Sequence, residues 1–313
     1  MEKGIVSVSI SPAIDRTLYV NNFEIDKVNN VQSSIDVPGS KGVNVALNLA
    51  SCGVKSTCAG FIGGDRAEFF IKYLLNKGVL CDFIPVSYNV RTNLKLVDLN
   101  KKTYTDVNFP SGEPTDEQIE SLKKNLLELA EENDFIALSG SISSKKLSSL
   151  YRDIIDTVKD TGVKVSVDCG GEALFEAAKA KPYAIKPNLS EFNEAFGFNS
   201  KTIDDIKNAA LRVCENGIEN ILISLDKSGA LCVLRGKAYF VYNLDLPVYN
   251  TVGAGDAFLS GFLYAKLKEK DDVSSLKYAE SFAQAAVSHK ADFEKSLNEY
   301  EKYVSQIKVE ELS

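Results

Sequence analysis

The chain of 313 residues carries a net charge of −7, and its 44% hydrophobic and 25% charged residues are ordinary for a globular domain. The negative charge, with no basic tract, argues against nucleic acid as the main partner, and no apolar run approaches the roughly 20 residues of a membrane span. Six cysteines without paired spacing and a single histidine argue against a zinc site and fit a reducing, cytoplasmic compartment.

Segments typical of buried strands alternate with segments of helical periodicity along most of the chain. Strands are predicted at 5–10, 56–61, 135–138, 163–167, 183–185 and 221–225. Each of these runs ends in small or polar residues, and ligands bind at the carboxyl edge of open parallel sheets. The pattern predicts one α/β domain over residues 1–313, with a mostly parallel central sheet flanked by helices.

Two segments, at about 17–37 and 91–109, interrupt this alternation. Apolar and polar residues alternate in them as in strands, with little helical signal. We interpret them as a small antiparallel β lid that projects over a ligand site and through which two chains form a homodimer. An ordinary surface extension is the alternative interpretation.

The stretch 250–256 (NTVGAGD) lies directly before a predicted helix. Its small residues leave backbone amides uncovered at the positive end of the helix dipole, which favours a bound anion. The carboxylate of Asp256 in the same place could accept a proton from a hydroxyl while the amides stabilise a transferring group. We therefore predict a phosphoryl-transfer centre, against the alternative of a helix that merely begins with an acidic cap.

Four segments fall in an order that resembles the ribokinase-like (PfkB) family of carbohydrate kinases: 11–15 (SPAID), 41–44 (KGVN), 186–191 (KPNLSE) and 250–256. Two more, 91–95 (RTNLK) and 105–109 (TDVNF), resemble its 1-phosphofructokinase branch, whose nearest relative is tagatose-6-phosphate kinase. The resemblance implies transfer of the γ-phosphate of ATP, with Mg²⁺, to a hydroxyl of a ketohexose phosphate. The expected reaction converts D-fructose 1-phosphate to fructose 1,6-bisphosphate.

The resemblance also implies roles for individual residues. Asp256 is expected to be the catalytic base, beside an anion hole at Gly253, Ala254 and Gly255. The expected substrate contacts are Asp15, Gly39, Lys41, Asn44, Arg91 and Ser139. The expected nucleotide contacts are Lys186, Asn188, Ser224, Asp226, Gly229, Thr251, Gly253 and Gly255. Asn188 and Glu191, which match the family's NxxE pair, are the expected ligands of Mg²⁺.

Two positions depart from the family pattern. Ser40 replaces the second glycine of Gly-Gly-Lys-Gly, and Asp226 replaces the glycine of Ser-Leu-Gly. These departures keep a non-catalytic sugar-phosphate sensor open as an alternative, and tagatose 6-phosphate remains an alternative substrate. A nicotinamide-dependent oxidoreductase is disfavoured, because residues 11–15 follow the first strand where G-x-G-x-x-G would be needed.

Overall fold

The computed structural model describes residues 4–142, 144–249, 251–288 and 296–313, so Asn250 of the glycine-rich motif lies outside the described residues. The strands are β1 (Gly4–Ser9), β2 (Ala13–Val20), β3 (Val31–Gly39), β4 (Ser56–Gly63), β5 (Val79–Val86), β6 (Arg91–Asp98), β7 (Thr103–Val107), β8 (Asn133–Ser139), β9 (Lys164–Asp168), β10 (Ala184–Ile185), β11 (Asn220–Ser224), β12 (Ala230–Leu234), β13 (Lys237–Val241) and β14 (Val309–Leu312). The helices are α1 (Lys41–Ala50), α2 (Ala67–Asn76), α3 (Asp116–Glu132), α4 (Leu150–Val158), α5 (Gly171–Lys179), α6 (Leu189–Phe196), α7 (Ile203–Cys214), α8 (Ala254–Leu267), α9 (Asp272–Ser288) and α10 (Leu297–Val304).

Ten of the strands in the described ranges form one large sheet in the order β14-β13-β12-β11-β10-β9-β8-β1-β4-β5. The seven strands from β11 to β5 run parallel, and β12, β13 and β14 continue the sheet antiparallel. Every residue of β1 and β4 is buried, as expected for parallel strands covered by helices on both faces. The α/β class with a mostly parallel sheet is therefore confirmed.

Helices α1 and α8 hold the glycine-rich motifs against one face of this sheet. Gly42 lets α1 approach β1, because a Cβ at this position would lie 2.5 Å from the carbonyl oxygen of Val8. Helix α8 packs between α1 and α9, and its residues from Asp256 to Ala265 are all buried. The first turns of both helices therefore lie beside the carboxyl ends of the central strands.

The small sheet has the strand order β3-β2-β6-β7. Its outer pairs β2–β3 and β6–β7 are antiparallel, as the sequence predicted, whereas the central pair β2–β6 is parallel. The parallel pair arises because the chain leaves the small sheet after β3, builds α1 to β5 in the main sheet, and returns in the same direction. The strands cover most of the predicted segments 17–37 and 91–109, but β2 begins earlier, and residues 21–30 form a loop.

No helix in the described part of the chain is both long and apolar enough to cross a membrane.

Candidate active site

A cavity of about 450 Å³ lies at the carboxyl edge of the large sheet, between that edge and the small sheet. Most of the residues singled out from the sequence line it: Asp15, Lys41, Asn44, Arg91, Ser139, Lys186, Asn188, Glu191, Ser224, Asp226, Gly253, Gly255 and Asp256. The predicted residues outside the lining are Gly39, Gly229, Thr251 and Ala254. The fold thus brings together, in one cavity, side chains that are separated by up to 241 positions.

Asp256 lies in the first turn of α8, and its side chain is nearly inaccessible to solvent. Its Oδ2 accepts a hydrogen bond of 2.7 Å from Nδ2 of Asn44 on α1. Burial, followed by the negative charge of Asp168, raises the pKa of Asp256 to about 6, against the opposing effects of Asn44 and two lysines. A carboxyl group with this pKa is ionised at neutral pH and is basic enough to accept a proton.

Gly253 provides the entry into α8. Its φ of 82° lies in the left-handed region, which glycine adopts without steric strain. Gly253 and Gly255 line the cavity at the start of this helix. The first amides of a helix have no partner within it, although Ala254 N donates to the carbonyl oxygen of Thr251 at 3.3 Å. Gly255 has a different role, because a Cβ there would lie 3.0 Å from Nζ of Lys186. The glycine therefore lets the lysine ammonium approach the start of the helix, and both features favour a bound anion.

Asp168 at the end of β9 connects two lysines beneath this anion site. Its Oδ1 accepts a 2.8 Å hydrogen bond from Nζ of Lys41, and its Oδ2 lies 3.2 Å from Nζ of Lys186. Burial opposes ionisation of Asp168, but the charges of Lys186 and Lys41 outweigh it and hold the pKa of this carboxyl below its usual value. Asp168 also helps to raise the pKa of Lys41, against the effect of burial. Lys41 therefore remains charged.

Asp168 is not among the site residues predicted from the sequence, although polar residues were predicted at the ends of the buried strands. The only signal for Asp168 was its position directly after an apolar run, which it shares with several other residues. Its two partners are 127 and 18 positions away in the sequence. Only the register of the parallel strands and the placement of α1 bring them together.

The small sheet contributes a second polar group to the cavity. Asp15 on β2 is paired with Lys95 on β6, with 2.8 Å between Oδ2 and Nζ, and it accepts a 3.1 Å hydrogen bond from Nδ2 of Asn93. Gly39 packs against this carboxylate, since a Cβ there would lie 2.7 Å from Oδ2 of Asp15. Gly39 therefore shapes the cavity wall through Asp15, and its direct contact with a substrate stays a prediction.

Arg91 begins β6 and projects into the same part of the cavity. Its guanidinium donates hydrogen bonds to the carbonyl oxygens of Phe109, at 2.9 Å, and Ser11, at 3.4 Å. Its buried Nε has no hydrogen-bond partner among the described residues. Burial lowers the pKa of Arg91, although a guanidinium stays charged throughout the ordinary pH range. An unpaired charged donor in a cavity is suited to a phosphate.

Asn188 and Glu191 form a capping box at the start of α6. Glu191 N donates to Oδ1 of Asn188 at 2.8 Å, and Asn188 N donates to Oε2 of Glu191 at 2.9 Å. The other carboxylate oxygen, Oε1, lies 4.0 Å from Nζ of Lys41 and has no part in the cap. The pair therefore has a structural role, and one carboxylate oxygen remains for a cation. Among the described residues, no group of three acidic, histidine or cysteine side chains could hold a metal by itself.

Three of the remaining predicted nucleotide residues lie at the end of β11 or in the turn that follows it. Ser224 ends this strand, and Asp226 follows with a φ of 50°. Gly229 closes the turn beneath the cavity, where a Cβ would lie 2.1 Å from the carbonyl oxygen of Val241. Gly229 is therefore required by the close packing of β13 and lies outside the cavity lining.

Ser139 at the end of β8 also faces the cavity. Its side chain is almost completely buried, and its Oγ has no hydrogen-bond partner within the described ranges. A buried hydroxyl without a partner is costly unless a ligand or water completes it. This supports the expectation that Ser139 contacts a bound molecule.

Comparison with known proteins agrees with this arrangement. The model of the pfkB family of carbohydrate kinases matches residues 3–297. The chain belongs to this family. Its fold is that of a family member, as the resemblance implied.

Several curated relatives cover nearly the whole chain. The 1-phosphofructokinase of Vibrio cholerae is 32% identical over 288 residues, which cover 92% of this chain and 90% of the relative. The tagatose-6-phosphate kinase of Staphylococcus epidermidis is 26% identical and covers 98% of this chain and 100% of the relative. Phosphofructokinase-2 of Escherichia coli, solved in complex with fructose 6-phosphate, superposes with a TM-score of 0.90 over 98% of this chain and 99% of that one. At 19% identity, this last likeness establishes the fold alone.

Proposed function

We propose that the protein is an ATP-dependent kinase that phosphorylates a ketohexose phosphate, with D-fructose 1-phosphate as substrate and fructose 1,6-bisphosphate as product. The observation that carries this proposal is the buried Asp256 carboxylate at the amide-rich start of α8, in the same cavity as the cationic Arg91. One end of the cavity thus offers a base beside an anion site, and the other offers a charge for a second phosphate. Relatives named 1-phosphofructokinase support this choice of substrate.

In the proposed reaction, Asp256 accepts the proton of the sugar 6-hydroxyl while the oxygen of that hydroxyl forms a bond to the γ-phosphorus of ATP. The bond from that phosphorus to the bridging oxygen of ADP breaks. The amides at the start of α8 and the ammonium of Lys186 stabilise the charge on the transferring group. Phosphoryl transfer requires mainly this positioning and charge stabilisation from the protein.

Mg²⁺ is part of the proposal because it accompanies ATP and offsets phosphate charge. The residues present fit it in one respect, since Glu191 lines the cavity and its Oε1 takes no part in the capping box. Asn188 would assist with the free lone pair of its Oδ1. Mg²⁺ commonly uses one or two protein carboxylates together with phosphate oxygens and water.

The phosphate already on the substrate is assigned to Arg91, with Lys41 assisting. Asp15, held by Lys95 and Asn93, would accept hydrogen bonds from the sugar hydroxyls. We also propose that the small sheet acts as a lid, because it supplies these residues to the cavity and would exclude water from the reaction.

The deciding experiment measures ADP release from Mg-ATP with fructose 1-phosphate, tagatose 6-phosphate, fructose 6-phosphate, fructose and ribose as acceptors. We expect turnover with fructose 1-phosphate alone, or a kcat/KM for fructose 1-phosphate at least tenfold higher than for any other acceptor. A preference for tagatose 6-phosphate would correct the substrate and keep the reaction. Ligand binding without any turnover would instead support a sugar-phosphate sensor.

We further propose that the small sheet mediates a homodimer. The apolar side chains of Val31, Ile35, Tyr104 and Val107 on its outer strands are 42–53% exposed. Exposed apolar side chains on the outer strands of a sheet commonly mark an association surface. Light scattering should give twice the 34.2 kDa chain mass, and Ile35→Asp should shift it towards the monomer. A wild-type monomer would contradict the proposal.

A further inference from the structure

Ser40 has a backbone conformation that serine rarely adopts. Its φ of 137° and ψ of 165° fall in the region that essentially only glycine populates. The family pattern that this motif resembles has glycine at the position, and glycine would adopt the conformation without strain. Conformations of this kind persist where the surrounding structure enforces them, and they concentrate at functional sites.

Helix capping does not account for the serine. Ser40 is the N-cap of α1, but its Oγ accepts from Val43 N at the long distance of 3.4 Å. Glycine serves almost as well as serine at an N-cap and would remove the strain here. The hydroxyl must therefore have another use if it offsets the backbone cost.

The stronger contact of this hydroxyl is with Ser9. The two Oγ atoms lie 2.7 Å apart, and both side chains line the cavity. Ser9 ends β1 and is almost completely buried, so it holds Ser40 Oγ in one place. One hydroxyl of the pair donates to the other, and no described acceptor takes the remaining hydroxyl hydrogen. The pair therefore presents a fixed donor to the cavity.

The pair lies at the sugar end of the proposed site. Ser40 follows Gly39, which packs on the Asp15 carboxylate, and precedes Lys41. A molecule that bridges Asp15 and Lys41 would lie in the cavity that both hydroxyl-bearing residues line.

We propose that the Ser9–Ser40 hydroxyl pair is a specificity-determining contact that donates a hydrogen bond to a hydroxyl of the acceptor sugar phosphate. The inference rests on the proposed function and names a further contact of the same site. A contact with the sugar would explain why a serine occupies a backbone conformation that favours glycine, whereas helix capping by Ser40 would not.

The test compares Ser40→Gly, Ser40→Ala and Ser9→Ala with the wild type. Ser40→Gly removes the hydroxyl and the strain together, so its Tm should equal or exceed that of the wild type. Its KM for the sugar phosphate should nevertheless rise about 3- to 10-fold, the loss expected for one neutral hydrogen bond, with the KM for ATP unchanged. Ser40→Ala keeps the strain and should show the same KM effect, and Ser9→Ala should show a smaller one.

Lys181→Gly provides the matched control for strain. Lys181 also has a positive φ, of 55°, but it is remote from the cavity lining. Its replacement should raise the Tm and leave both KM values unchanged. If Ser40→Gly behaves like this control, Ser40 is only a strained cap and the inference is overturned.

A substrate series then identifies the hydroxyl concerned. Fructose 1-phosphate analogues that lack single hydroxyl groups are compared on the wild type and on Ser40→Gly. We expect the KM ratio between the two proteins to fall towards one for the analogue that lacks the contacted hydroxyl. An undiminished ratio for every analogue would overturn the inference while the kinase function stands. A wild type without turnover on any sugar phosphate would overturn the proposed function itself.

Discussion

Nδ2 of Asn44 lies 2.7 Å from Oδ2 of Asp256 and joins the first turns of α1 and α8 across 212 positions of sequence. The contact orients the carboxylate and favours its ionised form, in opposition to burial and to the charge of Asp168. The balance between these effects sets the basicity of the proposed catalytic group.

Asp256→Asn should lower kcat by about 10²- to 10⁴-fold, because an amide cannot accept the proton of the acceptor hydroxyl. The side-chain size is retained, and ATP binding, measured by calorimetry, should remain close to that of the wild type. Turnover near the wild-type level would contradict the assignment of Asp256 as the base.

The pH dependence of kcat/KM should show an acidic limb near pH 6, where Asp256 becomes protonated. Activity should therefore rise with pH through this value and level off above it. Asn44→Ala removes a hydrogen bond that lowers the pKa of Asp256, so the limb should move to higher pH. A variant with lower activity but an unmoved limb would mean that Asn44 does not tune the carboxylate.

Asp168→Asn should reduce the free energy of unfolding by about 3–5 kcal/mol, because it leaves two lysine ammonium groups without their buried counter-charge. Denaturant unfolding measures the loss. Glu68→Gln is the control, since the Lys72–Glu68 pair is largely exposed and should contribute little to stability. An equal loss of unfolding free energy in Asp168→Asn and Glu68→Gln would show that the contacts of Asp168 with the two lysines do not depend on its charge.

The sequence predicted those features that depend on local pattern. Apolar runs ending in small or polar residues marked the parallel strands, and the glycines before Asp256 marked the start of α8. Features that depend on long-range pairing were missed, such as the convergence of Lys41 and Lys186 on Asp168. The parallel pairing of β2 with β6 follows from the path of the chain through the large sheet, which the alternation of residues within each strand does not encode.

The roles of Asn188 and Glu191 illustrate a different limit. Their spacing fits both a capping box and a metal-binding pair, because both require two polar side chains on one helical turn. The structure contains the capping box, and whether the remaining oxygen of Glu191 binds Mg²⁺ stays a prediction. Sequence spacing alone could not separate two uses of the same atoms.

Arg91→Ala should raise the KM for the sugar phosphate more than the KM for ATP, because it removes the charge assigned to the substrate's own phosphate. Steady-state kinetics with each substrate varied in turn measures both constants. Arg16→Ala is the control, since Arg16 lies on the same small sheet but pairs with Asp36 outside the cavity lining. Equal increases in both constants for Arg91→Ala would argue against a phosphate contact.

Glu280 on α9 should make the stability of the protein fall as the pH rises. Burial raises the pKa of this carboxyl to about 8, against a hydrogen bond from Gln284. Between the unfolded pKa, about 4.3, and this folded value, the folded state retains a proton that the unfolded state releases. The free energy of unfolding should therefore decrease by up to about 1.4 kcal/mol per pH unit in this range and become constant above it.

Glu280→Gln should abolish this dependence, because the amide needs no proton to remain buried. Its stability relative to the wild type should increase from pH 5 to pH 8, as measured by denaturant unfolding at intervals of one pH unit. Glu128→Gln, on an exposed position of α3, should leave the wild-type dependence unchanged. Parallel pH profiles for Glu280→Gln and the wild type would mean that Glu280 ionises without cost in the folded protein.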